Sequence, residues 1–150
     1  MLSCEISIRR AKVGDCDDIF AIESACFSSP WSKQSFFEQI DNPNADIFVG
    51  VADDTIVGFV NVTLVVGELT INNIAVMPDY RKQGVADRLL DAVFAEYANA
   101  ECCLLEVRAS NTPAQKLYKK HGFCKVGERK AYYQNPVENA LLMTKDMKNG

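Results

Sequence analysis

The chain has 150 residues, 48% of them hydrophobic and 24% charged, with a formal net charge of −4 at pH 7. That length suits one compact domain, residues 1–150, able to bury a core without staples. The acidic balance argues against a nucleic-acid partner, which calls for a basic stripe, and no apolar run approaches the ~20 residues of a membrane span.

Residues 1–5 show no basic region leading into an apolar stretch, so no secretory signal is expected. Ile6 to Ala11 alternates apolar and polar residues and reads as a strand. Gly14-Asp15 then opens a helix, with Asp15 as its cap and Ile19, Ile22 and Cys26 on one face. Pro30-Trp31-Ser32 breaks the pattern, and Ser32 caps a short helix carrying Phe36, Phe37 and Ile40, ended by Asp41-Asn42-Pro43-Asn44. Ile47 to Ala52 and Ile56 to Val66 form a hairpin around Asp53-Asp54. A strand from Leu69 to Val76 stops at Met77-Pro78, and a helix follows from about Val85 to Asn99. Its apolar face is Ala86, Leu89, Leu90, Val93, Phe94 and Tyr97. Cys102 to Val107 reads as a buried strand. Thr112-Pro113 reads as N-cap and first turn of a helix presenting Ala114, Leu117, Tyr118 and His121, with Gly122 at its C-terminal end. Phe123 to Val126, extending toward Tyr133, and Ala140 to Asp146 are the last strands. Alternating strands and helices without a linker predict a single mixed α/β domain.

Six cysteines (Cys4, Cys16, Cys26, Cys102, Cys103 and Cys124) form no C-x-x-C pair, and His121 is the single histidine. Reduced structural thiols in a cytoplasmic protein are expected, and no metal, since no Cys/His ligand set is clustered.

The chemistry concentrates at Ile74-Ala75-Val76-Met77-Pro78-Asp79-Tyr80-Arg81-Lys82-Gln83-Gly84-Val85-Ala86. A strand ends, a proline turns the chain, and a basic loop with one glycine enters a long helix. Free N–H groups at a helix start, backed by the dipole, make an anion site. Gly84 lets the backbone approach a ligand, and Arg81, Lys82 and Arg88 add positive charge. The pattern is neither a P-loop nor a dinucleotide-binding turn. A pyrophosphate cradle and an ordinary strand–loop–helix corner with a solvated basic face both fit it.

Two further residues stand out. Glu106 interrupts the apolar strand Leu104-Leu105-Glu106-Val107, as a proton acceptor or as a carboxylate paired with Arg108 two residues on. Tyr118 lies on an apolar helix face, as a proton donor or as a packed tyrosine whose hydroxyl finds a backbone partner. Spacing alone leaves these alternatives open.

Arg81-x-x-Gly84-x-Ala86, after a strand ending Asn73-Ile74-Ala75-Val76, resembles the [QR]-x-x-G-x-[GA] motif of the GCN5-related N-acetyltransferases. Leu105-Glu106-Val107-Arg108-Ala109-Ser110-Asn111, Ala114-x-x-Leu117-Tyr118-x-x-x-Gly122-Phe123, Phe27-x-x-Pro30-Trp31-Ser32 and Tyr132-Tyr133 are similar to that family's bacterial ribosomal-protein-alanine N-acetyltransferases. The ordered set covers nearly the whole chain.

The resemblance implies a central twisted mixed sheet of about six or seven strands, flanked by about four helices, with two middle strands splayed around the pantetheine arm of acetyl-CoA. It implies that Ile74 and Val76, with Ala75 between them, offer backbone groups to the pantetheine and the acetyl carbonyl. Main-chain N–H groups of Arg81, Lys82, Gln83, Gly84, Val85 and Ala86 surround the pyrophosphate, and Asn111 hydrogen-bonds near the reactive end. Asp87 fits such a site only if it points away or pairs with Lys82 or Arg88. Glu106 is implied as general base and Tyr118 as general acid. Trp31, Tyr132 and Tyr133 line a substrate pocket, although packing under loops explains them equally. Glu138 and Asp79 read as solvated charge, and His121 as a helix-end residue at the negative dipole end.

The expected activity is acetyl transfer from acetyl-CoA to the N-terminal amine of a protein, an N-terminal alanine of a small-subunit ribosomal protein. The expected partner is therefore a protein N-terminus, with no nucleic acid, no membrane and no metal. Nothing in the sequence fixes the oligomeric state, and a monomer is favoured. The alternatives are acetylation of a small amine (polyamine, aminoglycoside or amino acid) and a silent acyl-CoA-binding sensor module. Retention of both Glu106 and Tyr118 speaks against the last.

Overall fold

A computed structural model describes residues 5–148, so Cys4 lies outside the described residues. Strands β1 (Ile6–Arg10), β2 (Ala45–Ala52), β3 (Thr55–Val65), β4 (Glu68–Val76), β5 (Cys102–Arg108), β6 (Cys124–Tyr133) and β7 (Glu138–Asp146) form one sheet in the order β1-β2-β3-β4-β5-β7-β6. Four α-helices accompany it: α1 (Cys16–Cys26), α2 (Lys33–Asp41), α3 (Val85–Glu96) and α4 (Thr112–Lys120). This is the mixed α/β architecture expected, with seven strands and four helices.

Both hairpins of the antiparallel half turn on two left-handed residues, which matches the strand twist. Asp53 and Asp54 have φ of 49° and 64°, and Val66 and Gly67 have φ of 48° and 80°. The sheet is covered on both faces. On one, Ile19 and Ile22 of α1 and Phe36 of α2 pack on Val49, Phe59 and Ala75. On the other, Val85, Leu89, Leu90 and Val93 of α3 join Val60, Leu69 and Leu105, with Tyr118 and Phe123 closing the end.

The feature that positions the site is a break in the ladder. β4 and β5 run parallel, but only Glu68/Cys102, Leu69/Cys103 and Thr70/Leu104 pair. Directly afterwards β4 carries a bulge: Asn73 opposes Asn61 and Ile71 opposes Val62, leaving Asn72 as the extra residue. A bulge bends its strand and increases the local twist, and β4 and β5 part beyond it.

Several local readings are corrected. The Asp15 carboxylate does not cap α1; it accepts from the Lys12 N–H (2.7 Å) and from Arg9 (2.8 Å), closing the turn that precedes the helix. Helix α3 stops at Glu96 with Tyr97 as C-cap, short of Asn99. The N-cap of α4 is Asn111, not Thr112: the Asn111 side-chain oxygen accepts from the Ala114 N–H at 3.2 Å. An amide oxygen one residue upstream reaches the helix start and displaces the weaker threonine cap. β5 is buried on one side only, through Cys103, Leu105 and Val107; Glu106 is exposed on the other, where the sheet has opened.

Candidate active site

The parting of β4 and β5 opens a cleft of about 1280 Å³, walled by Thr70 to Ile74 on one side and Leu104 to Arg108 on the other. Its ends are closed by the segment after α1 and by the β6–β7 connection. Among the expected site residues, Ile74, Glu106, Asn111, Tyr118, Trp31, Tyr132 and Tyr133 all line it.

On the β4 wall, the Met77 N–H donates to Val57 O at 2.8 Å. Antiparallel ladders alternate between hydrogen-bonded and non-bonded pairs. With Ala75 opposite Phe59 and Val76 opposite Gly58, that alternation turns the main-chain groups of Ile74 and Val76 away from β3, toward the gap. Ala75 keeps its side chain in the α1-side core. Val76 O accepts from Arg81 Nε at 3.1 Å, and Arg81 Nη2 lies 3.4 Å from Cys26 Sγ.

Arg81 therefore ties the loop back to the strand end. Arg88 likewise donates to Ile6 O on β1. Both guanidinium groups are spent on main-chain carbonyls, which leaves Lys82 as the one side-chain charge of the expected three not used in this way. The rest is backbone geometry. Lys82 (φ 63°) and Gly84 (φ 81°) are left-handed, Gln83 donates to Asp79 O at 3.0 Å, and the first helical bond runs from the Arg88 N–H to Gly84 O at 3.1 Å. The N–H groups of Val85, Ala86 and Asp87 thus precede the first closed turn. A Cβ at Gly84 would meet no atom within 4 Å, so the mouth of α3 is open. Val85 is buried, and added Cβ atoms at Gly50 and Gly58 would come within 3.2 Å of its Cγ1. Those glycines let the helix start sit close on the sheet.

Asp87 pairs with neither Lys82 nor Arg88. It bonds Lys120 (2.6 Å) and His121 (2.8 Å) at the end of α4. Lys120 first, and then His121, hold its carboxyl below the usual range. The awkward carboxylate is turned sideways and clamps α4 to α3.

On the β5 wall, Glu106 is not paired with Arg108. Its Oε2 lies 3.3 Å from Arg129 Nε on β6. Arg108 instead donates to Gln134 O (2.7 Å), Pro136 O (3.0 Å), Glu138 (3.2 Å) and Ser28 Oγ (3.3 Å), with its guanidinium 4.6 Å from the centre of the Tyr133 ring. Glu138 also accepts from the Ser110 N–H at 2.5 Å. It is a structural tie rather than solvated charge, and its carboxyl is held low by Ser110 and Arg108.

Tyr118 is only 6% exposed and packs edge-on against Phe123, at 5.8 Å between ring centres. Among the described residues its hydroxyl has no hydrogen-bond partner, although it lines the cleft. Burial, and then the neighbouring Tyr133 and Cys103, push its pKa above that of an ordinary phenol. Burial, followed by the Glu106 carboxylate, pushes Tyr133 up to about 12. Tyr118, Tyr133 and Glu106 therefore share one neighbourhood. Trp31 stacks on Phe36 at 5.4 Å while still facing the cleft, and Tyr132 lies edge-on to Tyr133. Pocket lining and packing are both true of these rings.

Sequence reasoning missed Arg129, Arg108 as a clamp, and Glu23. Glu23 lies on the cleft-facing side of α1 yet is 2% exposed. The available signal was its spacing: it sits four residues after Ile19 and three before Cys26, on the apolar face. Among the described residues no helix is long and apolar enough to cross a membrane.

The profile of the acetyltransferase (GNAT) family matches residues 16–123. A Bacillus subtilis (strain 168) protein, provisionally named a ribosomal protein bS18-alanine N-acetyltransferase, is 37% identical over 145 residues, covering 95% of this chain and 96% of that one. An N-alpha-acetyltransferase of Saccharolobus solfataricus is 31% identical over 158 residues, covering 95% and 94%. The crystal structure of the Escherichia coli ribosomal-protein-S18-alanine N-acetyltransferase superposes with a TM-score of 0.88 at 29% identity, covering 95% and 94%.

Proposed function

This chain belongs to the GNAT acetyltransferase family and is an acetyl-CoA-dependent N-acetyltransferase, and from that premise we propose that its acceptor is the N-terminal α-amine of a protein, an N-terminal alanine of a small-subunit ribosomal protein. The observation that carries the reading is the gathering of Glu106, Tyr118 and the Trp31, Tyr132 and Tyr133 rings around one cleft beside the β4 strand end. The names of the relatives support it. We assign the donor to the gap between β4 and β5. Ile74 and Val76 face its pantetheine and acetyl carbonyl, and Asn111 lies near the reactive end. The N–H groups of residues 81–86 receive the pyrophosphate, and the open mouth of α3 at Gly84 fits that group.

An α-amine has a pKa of ~8, so at pH 7 roughly nine in ten are protonated and cannot attack a thioester. Glu106 takes that proton, directly or through water. The freed nitrogen bonds to the acetyl carbon, the carbon–sulfur bond breaks, and Tyr118 gives its proton to the departing thiolate; the second proton that the nitrogen sheds as the amide forms returns Tyr118 to its neutral form, and the proton on Glu106 passes to water. A lysine side chain, with a pKa of ~10.4, releases its proton far less readily. Free thiols at Cys16, Cys26, Cys102, Cys103 and Cys124 support a cytoplasmic setting. No metal enters this scheme.

The test is direct. The protein is incubated with acetyl-CoA and a peptide beginning with Ala followed by Arg-rich sequence, and the product is fragmented by mass spectrometry. Acetyl on the α-amine, with lysines unmodified and KM rising with salt more than kcat falls, is the expected result. Acetyl found only on lysine, or transfer only to polyamines and antibiotics, overturns the acceptor assignment.

A further inference from the structure

A polar chain runs through the α1 side of the sheet at the bulge in β4. Gln39 Nε2 donates to Asn61 Oδ1 (2.7 Å) and Thr63 Oγ1 (2.9 Å). Asn61 Nδ2 donates to Asn73 Oδ1 (2.7 Å), and Asn73 Nδ2 to Glu23 Oε2 (3.0 Å). The Trp31 N–H also donates to Glu23 Oε2, at 2.9 Å. Every step hands a donor toward Glu23, where the chain ends in a carboxylate filled on one oxygen. Glu23 Oε1 is, among the described residues, the one buried side-chain oxygen or nitrogen without a partner.

Buried polar atoms are satisfied almost without exception, and a carboxylate oxygen left empty is costly. The Trp31 N–H and Asn73 Nδ2 give Oε2 a structural use, but among the described residues no group uses Oε1. Three placements give the empty oxygen a use. Glu23 lines the cleft. Its partner Asn73 directly precedes Ile74, whose main chain faces the gap. Its other partner is the backbone of Trp31, a ring of the expected acceptor pocket. We propose that Glu23 Oε1 is the docking group for the acceptor, accepting a charge-assisted hydrogen bond from the α-ammonium before Glu106 removes the proton. This rests on the α-amine reading above.

Burial pushes the Glu23 carboxyl above the ordinary range, while the Trp31 and Asn73 donors act the other way. An arriving ammonium offsets the burial and joins them in holding the charge. Glu23 lines the cleft but Oε1 is itself buried, so the acceptor reaches it by moving side chains of the cleft wall. Such rotamer changes are common on binding while the backbone moves little. The two carboxylates divide the work. Glu23, on the α1 side of β4, sets where the nitrogen stands, and Glu106, on β5, takes its proton.

The experiment is a double-mutant cycle on the CoA-loaded enzyme. Binding of the Ala-Arg-rich peptide and of its des-amino analogue, with propionyl in place of Ala, is measured by calorimetry for wild type and Glu23→Gln. In wild type, deleting the amine should weaken binding roughly 10- to 100-fold, as for a hydrogen bond to a charged group. In Glu23→Gln the same deletion should cost little, and acetyl-CoA affinity should be unchanged. An equal loss in both proteins overturns the proposal, because a purely structural Glu23 would shift both peptides alike. A structure of the wild-type enzyme with CoA and the peptide gives an answer independent of any variant. The α-nitrogen should lie within about 3.2 Å of Oε1; a water on Oε1, with the nitrogen elsewhere, overturns it. If wild type transfers no acetyl to the peptide at all, the acceptor reading has failed first. Normal transfer with an unaltered cycle sinks the Glu23 assignment alone.

Discussion

Tyr118→Phe separates the two roles a buried tyrosine can play. The ring is packed on Phe123 and stays in place, and what is deleted is a hydroxyl without a partner among the described residues. A hydrogen-bonded buried hydroxyl would leave its partner orphaned, at about 1–3 kcal/mol. Here no partner is orphaned, since the hydroxyl belongs to the cleft lining and bonds no group among the described residues. The stability change should stay within about 1 kcal/mol, or about 2–4 °C in Tm for a domain of this size, and its sign can be positive. Loss of the proton donor, in contrast, should lower the rate by roughly 10²–10⁴. The pKa direction adds a constraint. A phenol raised above its ordinary ~10 keeps its proton throughout the working range, so the wild-type rate should show no descending limb from Tyr118 up to pH ~10. The assay is single-turnover acetyl transfer followed by thiol release, which slow product release cannot mask, beside a thermal melt. A variant that turns over like wild type but melts well below it refutes the donor role and makes Tyr118 a core residue only.

Glu106→Gln should lower kcat by roughly 10²–10⁴ at pH 7, and the deficit should shrink as pH passes the ~8 of the α-amine. Its Arg129 partner is exposed, so the melt should barely move, and wild-type kcat at pH 7 would show that Glu106 is structural. Gly84→Ala meets no clash, so its stability cost is the left-handed strain of ~1–2 kcal/mol alone, about 2–8 °C in Tm. The new methyl group stands at the mouth of α3, and acetyl-CoA affinity measured on the folded variant should fall on the order of tenfold or more; unchanged affinity removes the cradle.

What could be read from sequence was local. The strand end, the proline turn, the basic loop and the glycine before α3 are contiguous, and their conformations follow from residue type. Ser32 was legible as a cap for the same reason, and its side chain accepts from the Ser35 N–H at 3.0 Å. Partners were not legible where they come from distant segments. Spacing put Glu106 next to Arg108, but Arg129 arrives from β6, which is two strands away in the sheet. Asp87 was weighed against its neighbours, whereas its partners lie at the far end of α4. β5 looked buried because its composition is apolar; only the bulge at Asn72, a feature of strand pairing, explains why one face opens. Glu23 is not singled out in the sequence reading, although its position on an apolar face is a usable signal.

The two halves of the cleft are built by different means, and this has a consequence for specificity. The proposed donor side is chiefly one continuous segment, Ile74 to Ala86, that presents main-chain groups, with Asn111 joining it; Arg81 is committed to Val76 O, and Arg88, just beyond the segment, to Ile6 O. On that reading, a sequence that keeps the turn keeps the cradle. The proposed acceptor side is assembled from side chains of the segment after α1 and of the end of β6 with the connection to β7. Arg108 holds them to each other and to β5 through Ser28, Gln134, Pro136 and Glu138. Four acceptors and the Tyr133 ring use this guanidinium as a planar fork, a geometry that lysine cannot reproduce. The clamp touches neither the donor's expected path nor Glu106. It ties the Ser28 segment to the Tyr133 ring, and on the proposed reading it thereby limits the width available to the acceptor's first residue. On the proposed reading, acceptor choice is therefore set by a clamp and a buried carboxylate outside the reacting pair, while the chemistry stays with Glu106 and Tyr118.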